Sequence, residues 1–224
     1  MEIGVLTYIE KHKKTYDTLC LLKAKGYHNV KIFAKPYHYH KNFSPLIEHR
    51  PELNIDIPDI AKLAESFGYE LHIADYSEIR LERSIPILLC GAGIMPDEFV
   101  KNHRIINAHP GYIPNCRGLD AFKWAILEKQ PIGVTTHFLG ENIDAGEILE
   151  RRVIEIKQND TFHCLAQRVY DNEIDMLVSS LKIMDCEHEF IYPGNYKLHK
   201  RMPHEMERVL LEKFEEIKVD LCSV

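Results

Sequence analysis

The sequence predicts an α/β protein: a Rossmann-like, mostly parallel twisted sheet with helices on both faces and a small C-terminal helical extension. Three observations lead there. The chain opens with strand, helix, glycine and strand, the start of a βαβ unit. Its first strand, Glu2 to Thr7, is nearly continuous in apolar residues, as buried parallel strands tend to be. A later β-branched run at Ile105 and Ile106 stops at the His109–Pro110 bond, because proline cannot donate to a ladder and holds its predecessor extended.

The elements follow in order. Tyr16, Leu19, Cys20 and Ala24 recur at three- and four-residue steps, which predicts a helix over residues 13–25 with that stripe inward and Gly26 as its stop. Val30 to Ala34 reads as the second strand. Residues 35–57 lack periodicity and hold several prolines, so a long loop is expected; loops of that length in compact domains are often functional. Its Tyr39, Lys41 and Arg50 are candidates for meeting an anionic ligand. The alternation resumes with a helix from Asp59 to Phe67 closed by Gly68, strands at 70–74 and 85–90, and a glycine-bearing turn from Gly91 to Pro96. A short helix starts at Pro96, a natural first helical residue. After the strand at 104–109, a helix over 119–129 is expected to bury Leu119, Phe122 and Ile126. Strands at 133–138 and 147–156 around a glycine-flanked loop read as an antiparallel hairpin. Asp160 or Thr161 caps a long helix to about residue 184, with Leu165, Val169, Ile174, Leu177 and Leu181 inward. The tail carries Tyr192-Pro-Gly-Asn-Tyr196, then an amphipathic helix from Pro203 with Met206, Leu210, Phe214 and Ile217 on one stripe. The organisation expected is a main domain over residues 1–186 and a tail over 187–224, packed on the core or on a second subunit of a homodimer.

Composition narrows the function. A chain of 224 residues, 45% hydrophobic and 28% charged, is an ordinary globular domain, and a net charge of −6 argues against nucleic acid as its partner. Six cysteines without a C-x-x-C pair fit reduced thiols in the cytoplasm rather than a disulfide framework. Lys11, Lys13 and Lys14 interrupt the N-terminus before a signal-peptide core forms, and the longest apolar run, Ile85 to Met95, is too short for a membrane span. No metal is expected, because His103, His109 and His137 lack a zinc-binding spacing. Gly91-Ala-Gly93 lacks the rest of a dinucleotide fingerprint.

The chemistry concentrates at residues 105–118. Asn107 and His109 are two apart, so on a strand both side chains leave the same face, at the rim where open α/β sheets bind ligands. Asp144 lies in the loop of the hairpin. A carboxylate near an imidazole orients it and favours its protonated form, and a carboxamide N–H stabilises a developing oxyanion. Taken singly, Asn107 reads as a capping residue, His109 as a structural histidine and Asp144 as a turn former; their arrangement is what points to chemistry. No nucleophile elbow is present, so the set suits direct acyl transfer between two bound substrates. Gly91 and Gly93 let the backbone approach a ligand, the alternative being a tight strand-to-helix connection.

Asn107-Ala-His109-Pro110, then Tyr112 to Gly118, Thr136-His-Phe138 and Ile143-Asp144-Ala-Gly146, resemble the formyltransferase family in that order over roughly residues 85–156. The family moves a formyl group from 10-formyltetrahydrofolate to an amine. The resemblance implies the formyltransferase fold, that folate as co-substrate and no metal. It also implies roles by position: Asn107 holds the formyl oxygen, His109 stabilises the tetrahedral intermediate and moves protons, and Asp144 keeps His109 charged and oriented. Gly91, Gly93, Ile94 and Met95, with Glu141, Asn142 and Ile143, are the implied contacts of the folate.

Departures from the family pattern point to the acceptor. Gly111 stands where the family often has Ser, and Thr7 to Lys14 replaces the glycine-rich phosphate loop of the glycinamide ribonucleotide enzymes. The chain is also too short for the extra domain of the methionyl-tRNA enzymes or the regulatory domain of the formyltetrahydrofolate hydrolases. By elimination the resemblance implies a nucleotide-linked amino sugar, a surface-polysaccharide precursor, formylated on its primary amine. Tyr192 or Tyr196 would stack on its base, and Arg117, Lys200 and Arg201 would join Arg50 in meeting its anionic part. Formyl transfer to glycinamide ribonucleotide or another small amine, hydrolysis of the folate, and a non-catalytic folate-binding module are the alternatives.

Overall fold

The computed structural model describes residues 1–37, 43–50, 56–93 and 95–222. The chain begins with β1 (Glu2–Tyr8), α1 (Lys13–Ala24) and β2 (Asn29–Lys35), then runs through α2 (Ile60–Phe67), β3 (Glu70–Ile73), β4 (Pro86–Leu89) and α3 (Asp97–Asn102). The central part comprises β5 (Arg104–His109), β6 (Arg117–Gly118), α4 (Ala121–Leu127), β7 (Gly133–Phe138) and β8 (Gly146–Val153). It closes with α5 (Phe162–Ser179), β9 (Glu189–Ile191), β10 (Leu198–His199) and α6 (His204–Cys222).

Eight strands form one sheet in the order β3-β2-β1-β4-β5-β7-β8-β9. The five strands from β3 to β5 are parallel, while β7, β8 and β9 each run antiparallel to the strand before them. The order reverses between β1 and β4, which opens a crevice at the carboxyl ends of the strands. Alternation along the strands feeds two apolar layers. Ile3 and Val5 of β1 and Ile106 and Ala108 of β5 join the larger one, with Leu19 and Leu22 of α1 and Leu165 and Leu177 of α5. Leu6 and Ile105 turn to the other face and meet Phe33, Tyr76, Ile79 and Phe99.

Local signals explain most boundaries. Asp59 accepts the Lys62 N–H at the start of α2, and Gly68 ends that helix at φ 69°. Thr161, rather than Asp160, caps α5 by accepting the Cys164 N–H. Two burial expectations need correcting. Of the predicted α1 stripe only Leu19 is fully buried; Lys14, Thr15, Thr18 and Leu22 complete the inward face, with Lys14 paired to the buried Glu173. Leu119 is exposed, since Asp120 adopts φ 53° and α4 starts only at Ala121.

The tail does more than pack. Strand β9 adds to the free side of β8, and β10 pairs in parallel with β6, carrying residues 198–201 to the crevice. In α6, Leu210, Phe214 and Ile217 are buried as the stripe predicts, while Met206 is partly buried.

Candidate active site

Strand β5 sets the first two side chains and its antiparallel neighbour adds a third. Asn107 stands directly across from His137 and His109 across from Thr135. On the far side of β7 the register with β8 shifts between Thr136 and His137, leaving Leu149 of β8 as the extra residue of a bulge. Asn107 Nδ2 lies 3.4 Å from His137 Nε2, and His137 Nδ1 lies 3.1 Å from the Phe138 carbonyl. A carbonyl only accepts, so Nδ1 carries the hydrogen and Nε2 receives the Asn107 amide. Burial holds His137 down at about 4, against the opposing pull of Asp144 and with a further push from His109. The ring is therefore neutral at pH 7 and orients the carboxamide.

His109 is 5% exposed. Its Nε2 is 3.1 Å from the Cys116 carbonyl and its Nδ1 is 3.6 Å from Asp144 Oδ2, so each nitrogen faces an oxygen acceptor. Asp144 Oδ1 lies 3.7 Å from His137 Nε2, which puts one carboxylate between two imidazoles. Its position is built from the loop: Asp144 takes φ 45°, a left-handed conformation aspartate tolerates. Oδ2 accepts the Gly118 N–H at 2.8 Å, and Arg117 Nε donates to the Asp144 carbonyl at 2.8 Å and to that of Ile143 at 3.2 Å. Gly111 has no room for a side chain, since a Cβ there would lie 2.5 Å from the Cys116 carbonyl and 2.7 Å from His109 Nε2. Burial pushes the Cys116 thiol up to about 12, so no thiolate is offered beside the site.

These groups open into a cavity of about 900 Å³. Asn107, His109, Asp144, Gly93 and Ile143 line one part of it, and Lys14, His49, Arg50, Lys200 and Arg201 line another. Lys14 and Arg50 converge on Glu173 at 2.7 and 3.1 Å. Burial alone would raise that carboxyl, but the Arg50 and Lys14 charges override it and hold it at about 2. Lys14 also reaches the carbonyl of Ala108, between the two site residues of β5, at 3.4 Å. Burial, helped by the Arg50 and Lys123 charges, holds His49 down at about 3. The cavity thus joins an acid–base cluster to a basic wall.

The remaining sequence candidates divide. Glu141 lines a second cavity of about 500 Å³ with Lys101, Arg104 and Leu139. Gly91 faces the Tyr8 ring, which lies 2.5 Å from where its Cβ would be; Met95 packs in the smaller apolar layer, and Asn142 is exposed. Arg117 is buried and committed to the loop backbone. Tyr192 and Tyr196 stand outside the large cavity, 76% and 51% exposed. Ile94, Tyr39 and Lys41 lie outside the described residues. Sequence reasoning overlooked His137 as a site member, because it is the pairing of β7 with β5, not the hairpin with β8, that sets this residue against Asn107. His103, by contrast, is tied to the Phe99 carbonyl at 2.9 Å.

A family model described as formyl transferase matches residues 86–181. The methionyl-tRNA formyltransferase of Anaeromyxobacter sp. (strain K) is 33% identical over 85 residues, 38% of this chain and 27% of that protein. The chain spans less than half the length of the curated relatives it matches first. Among solved structures, the N-formyltransferase from Helicobacter canadensis, in complex with folinic acid and dTDP-3-aminofucose, superposes with a TM-score of 0.62 at 15% identity, covering 91% of this chain and 73% of that one. A formyltransferase from Anoxybacillus kamchatkensis, in complex with UDP-4,6-dideoxy-4-formamido-L-AltNAc and tetrahydrofolate, gives 0.54 at 20% identity, covering 98% and 97%. At these identities the structural likeness is one of fold. The segment matched by the formyl transferase model contains Asn107, His109 and Asp144, and over it the chain is similar to that family.

Proposed function

We propose that the protein transfers a formyl group from 10-formyltetrahydrofolate to the primary amine of a nucleotide-linked amino sugar. The observation that carries the reading is one cavity in which Asn107, His109 and Asp144 face the same space as Arg50, Lys200 and Arg201. An acceptor with an amine at one end and a diphosphate at the other fits that division of charge. The donor lies along Gly93 and the Ile143–Asp144 backbone, so that its formyl carbon meets the amine beside β5.

In the reaction the amine nitrogen attacks the formyl carbon and the carbonyl π pair moves to oxygen. Asn107, whose carboxamide is fixed by His137, gives its second amide hydrogen to that oxygen. His109, held between Asp144 and the Cys116 carbonyl, faces the developing negative charge. Asp144, directly or through water, takes the proton the amine must lose and returns it to the folate nitrogen as the carbon–nitrogen bond breaks. The products are the formamide and tetrahydrofolate. All six cysteines are free, which fits a reducing compartment, and we place the reaction in the cytoplasm. No described helix is long and apolar enough to cross a membrane.

The test is a transfer assay with 10-formyltetrahydrofolate and a panel of amines read by mass spectrometry: UDP- and dTDP-linked amino sugars, glycinamide ribonucleotide and methionyl-tRNA. A formyl mass gain on an amino sugar supports the reading. A gain confined to another amine, or formate released with no acceptor, refutes it.

A further inference from the structure

The basic wall of the large cavity is assembled from two segments far apart in sequence, residues 43–50 and 198–204, and the first of them is bonded to a buried ion pair. Lys123 of α4 and Glu207 of α6 are each 0% exposed, with Nζ 2.6 Å from Oε1. Such a pair gains little over apolar side chains of the same volume, so its burial calls for another role. The second oxygen of Glu207 supplies one: Oε2 accepts the Leu46 N–H at 2.8 Å. Two further bonds fasten the same wall, from His204 Nε2 to the Ser44 carbonyl and from the Met202 N–H to Asp120 Oδ2, both 2.8 Å. Ile47, next to the bonded amide, is buried in the core, and His49 and Arg50 follow it into the cavity.

We propose that Glu207, itself held by Lys123, is a positioning residue that fixes residues 43–50 so that His49 and Arg50 present a preformed surface to the acceptor. The inference rests on reading the large cavity as the acceptor site. Glu207 touches no reacting atom; it acts through the Leu46 amide.

Two double variants separate this role from plain stabilisation. Lys123→Met with Glu207→Gln removes both charges and keeps an oxygen for Leu46. Lys123→Met with Glu207→Leu removes both charges and that oxygen. Amide exchange of residues 43–50, followed by mass spectrometry without ligand, is the first readout, and dissociation constants for UDP, dTDP and tetrahydrofolate are the second. The Gln variant is expected to match the wild type throughout. In the Leu variant, exchange of 43–50 and the constant of the nucleotide that binds are expected to rise roughly five- to tenfold, the loss of one hydrogen bond, with the tetrahydrofolate constant unchanged. If the Leu variant does not fold, Glu207→Asp, which keeps the charge but shortens the reach, is expected to give the same rise. Wild-type exchange in the Leu and Asp variants, or a Gln variant as loose as the Leu variant, overturns the proposal. Faster exchange when neither nucleotide binds the wild type supports the positioning role and counts against the nucleotide reading.

Discussion

Gly111→Ala is the sharpest probe of how the site is held. The added Cβ would lie 2.5 Å from the Cys116 carbonyl, 2.7 Å from His109 Nε2 and 2.9 Å from Ala121 Cβ. Ordinary contact begins at about 3.4 Å, so the carbonyl must retreat by about 0.9 Å and the imidazole by about 0.7 Å. Neither can yield freely. The carbonyl belongs to a loop whose Cys116 N–H is bonded to Tyr112 and whose Gly118 N–H is bonded to Asp144, and His109 is enclosed on a central strand. Overpacking of this kind costs about 1–3 kcal/mol of stability, and displacing a reacting group by about 1 Å costs roughly a hundredfold in rate. A drop of roughly 2–10 °C in Tm is therefore expected, with kcat for the acceptor found by the amine panel falling about a hundredfold. Thermal denaturation and steady-state kinetics measure both. Wild-type Tm and kcat in Gly111→Ala would show that residue 111 does not constrain the imidazole, and the account of His109 would fail.

Asp144→Asn keeps an acceptor for the Gly118 N–H but removes the charge 3.6 Å from His109 and 3.7 Å from His137. Turnover should fall by about 10²–10⁴ with the circular dichroism spectrum unchanged, and a rate within threefold of the wild type contradicts the proposed proton path. His109→Ala should lose turnover by orders of magnitude with the fold intact, in the same assay. Arg117→Ala releases the Ile143 and Asp144 carbonyls, and a rate loss of roughly ten- to a hundredfold is expected as that loop loosens; unaltered kinetics would deny Arg117 this role. Burial keeps His12 and His137 at about 4 and His49 at about 3, below the ordinary 6.5 that the unfolded chain recovers. The unfolded state then binds more protons between pH 6.5 and 4, so the stability these rings contribute is present above 6.5 and drains away as pH falls through 4. Each ring adds a slope of up to about 1.4 kcal/mol per pH unit, and urea melts at pH 7, 6 and 5 that coincide would refute the assignment.

The order of elements was legible because apolar strands and glycine stops are local signals. The hairpin loop and the two-residue spacing of Asn107 and His109 likewise pointed to the candidate residues on β5 and in the 140–146 loop, which the fold brings together around one cavity. What escaped depends on partners remote in sequence. His137 is an ordinary strand residue until the register sets it against Asn107. Lys14 looks solvent-exposed until Glu173, 159 positions later, receives it. Strands β9 and β10 span only three and two residues, too few for any pattern, and exist because β8 and β6 leave edges to pair with. Tyr192 and Tyr196 attracted attention as aromatics near cations, but residue type does not reveal which side of a strand edge faces the crevice.

The buried junction of α4 and α6 bears on how the molecule is born. Synthesis runs from the N-terminus, so β5, β7 and the 140–146 loop leave the ribosome while the segment that carries Glu207 is still unmade. Until it arrives, Lys123 lacks its counter-charge, the Leu46 amide lacks its acceptor and one side of the crevice stays open. The chemistry is encoded early and the enclosure late. A nascent chain thus carries Asn107, His109 and Asp144 before the segment that holds residues 43–50 in place has been made.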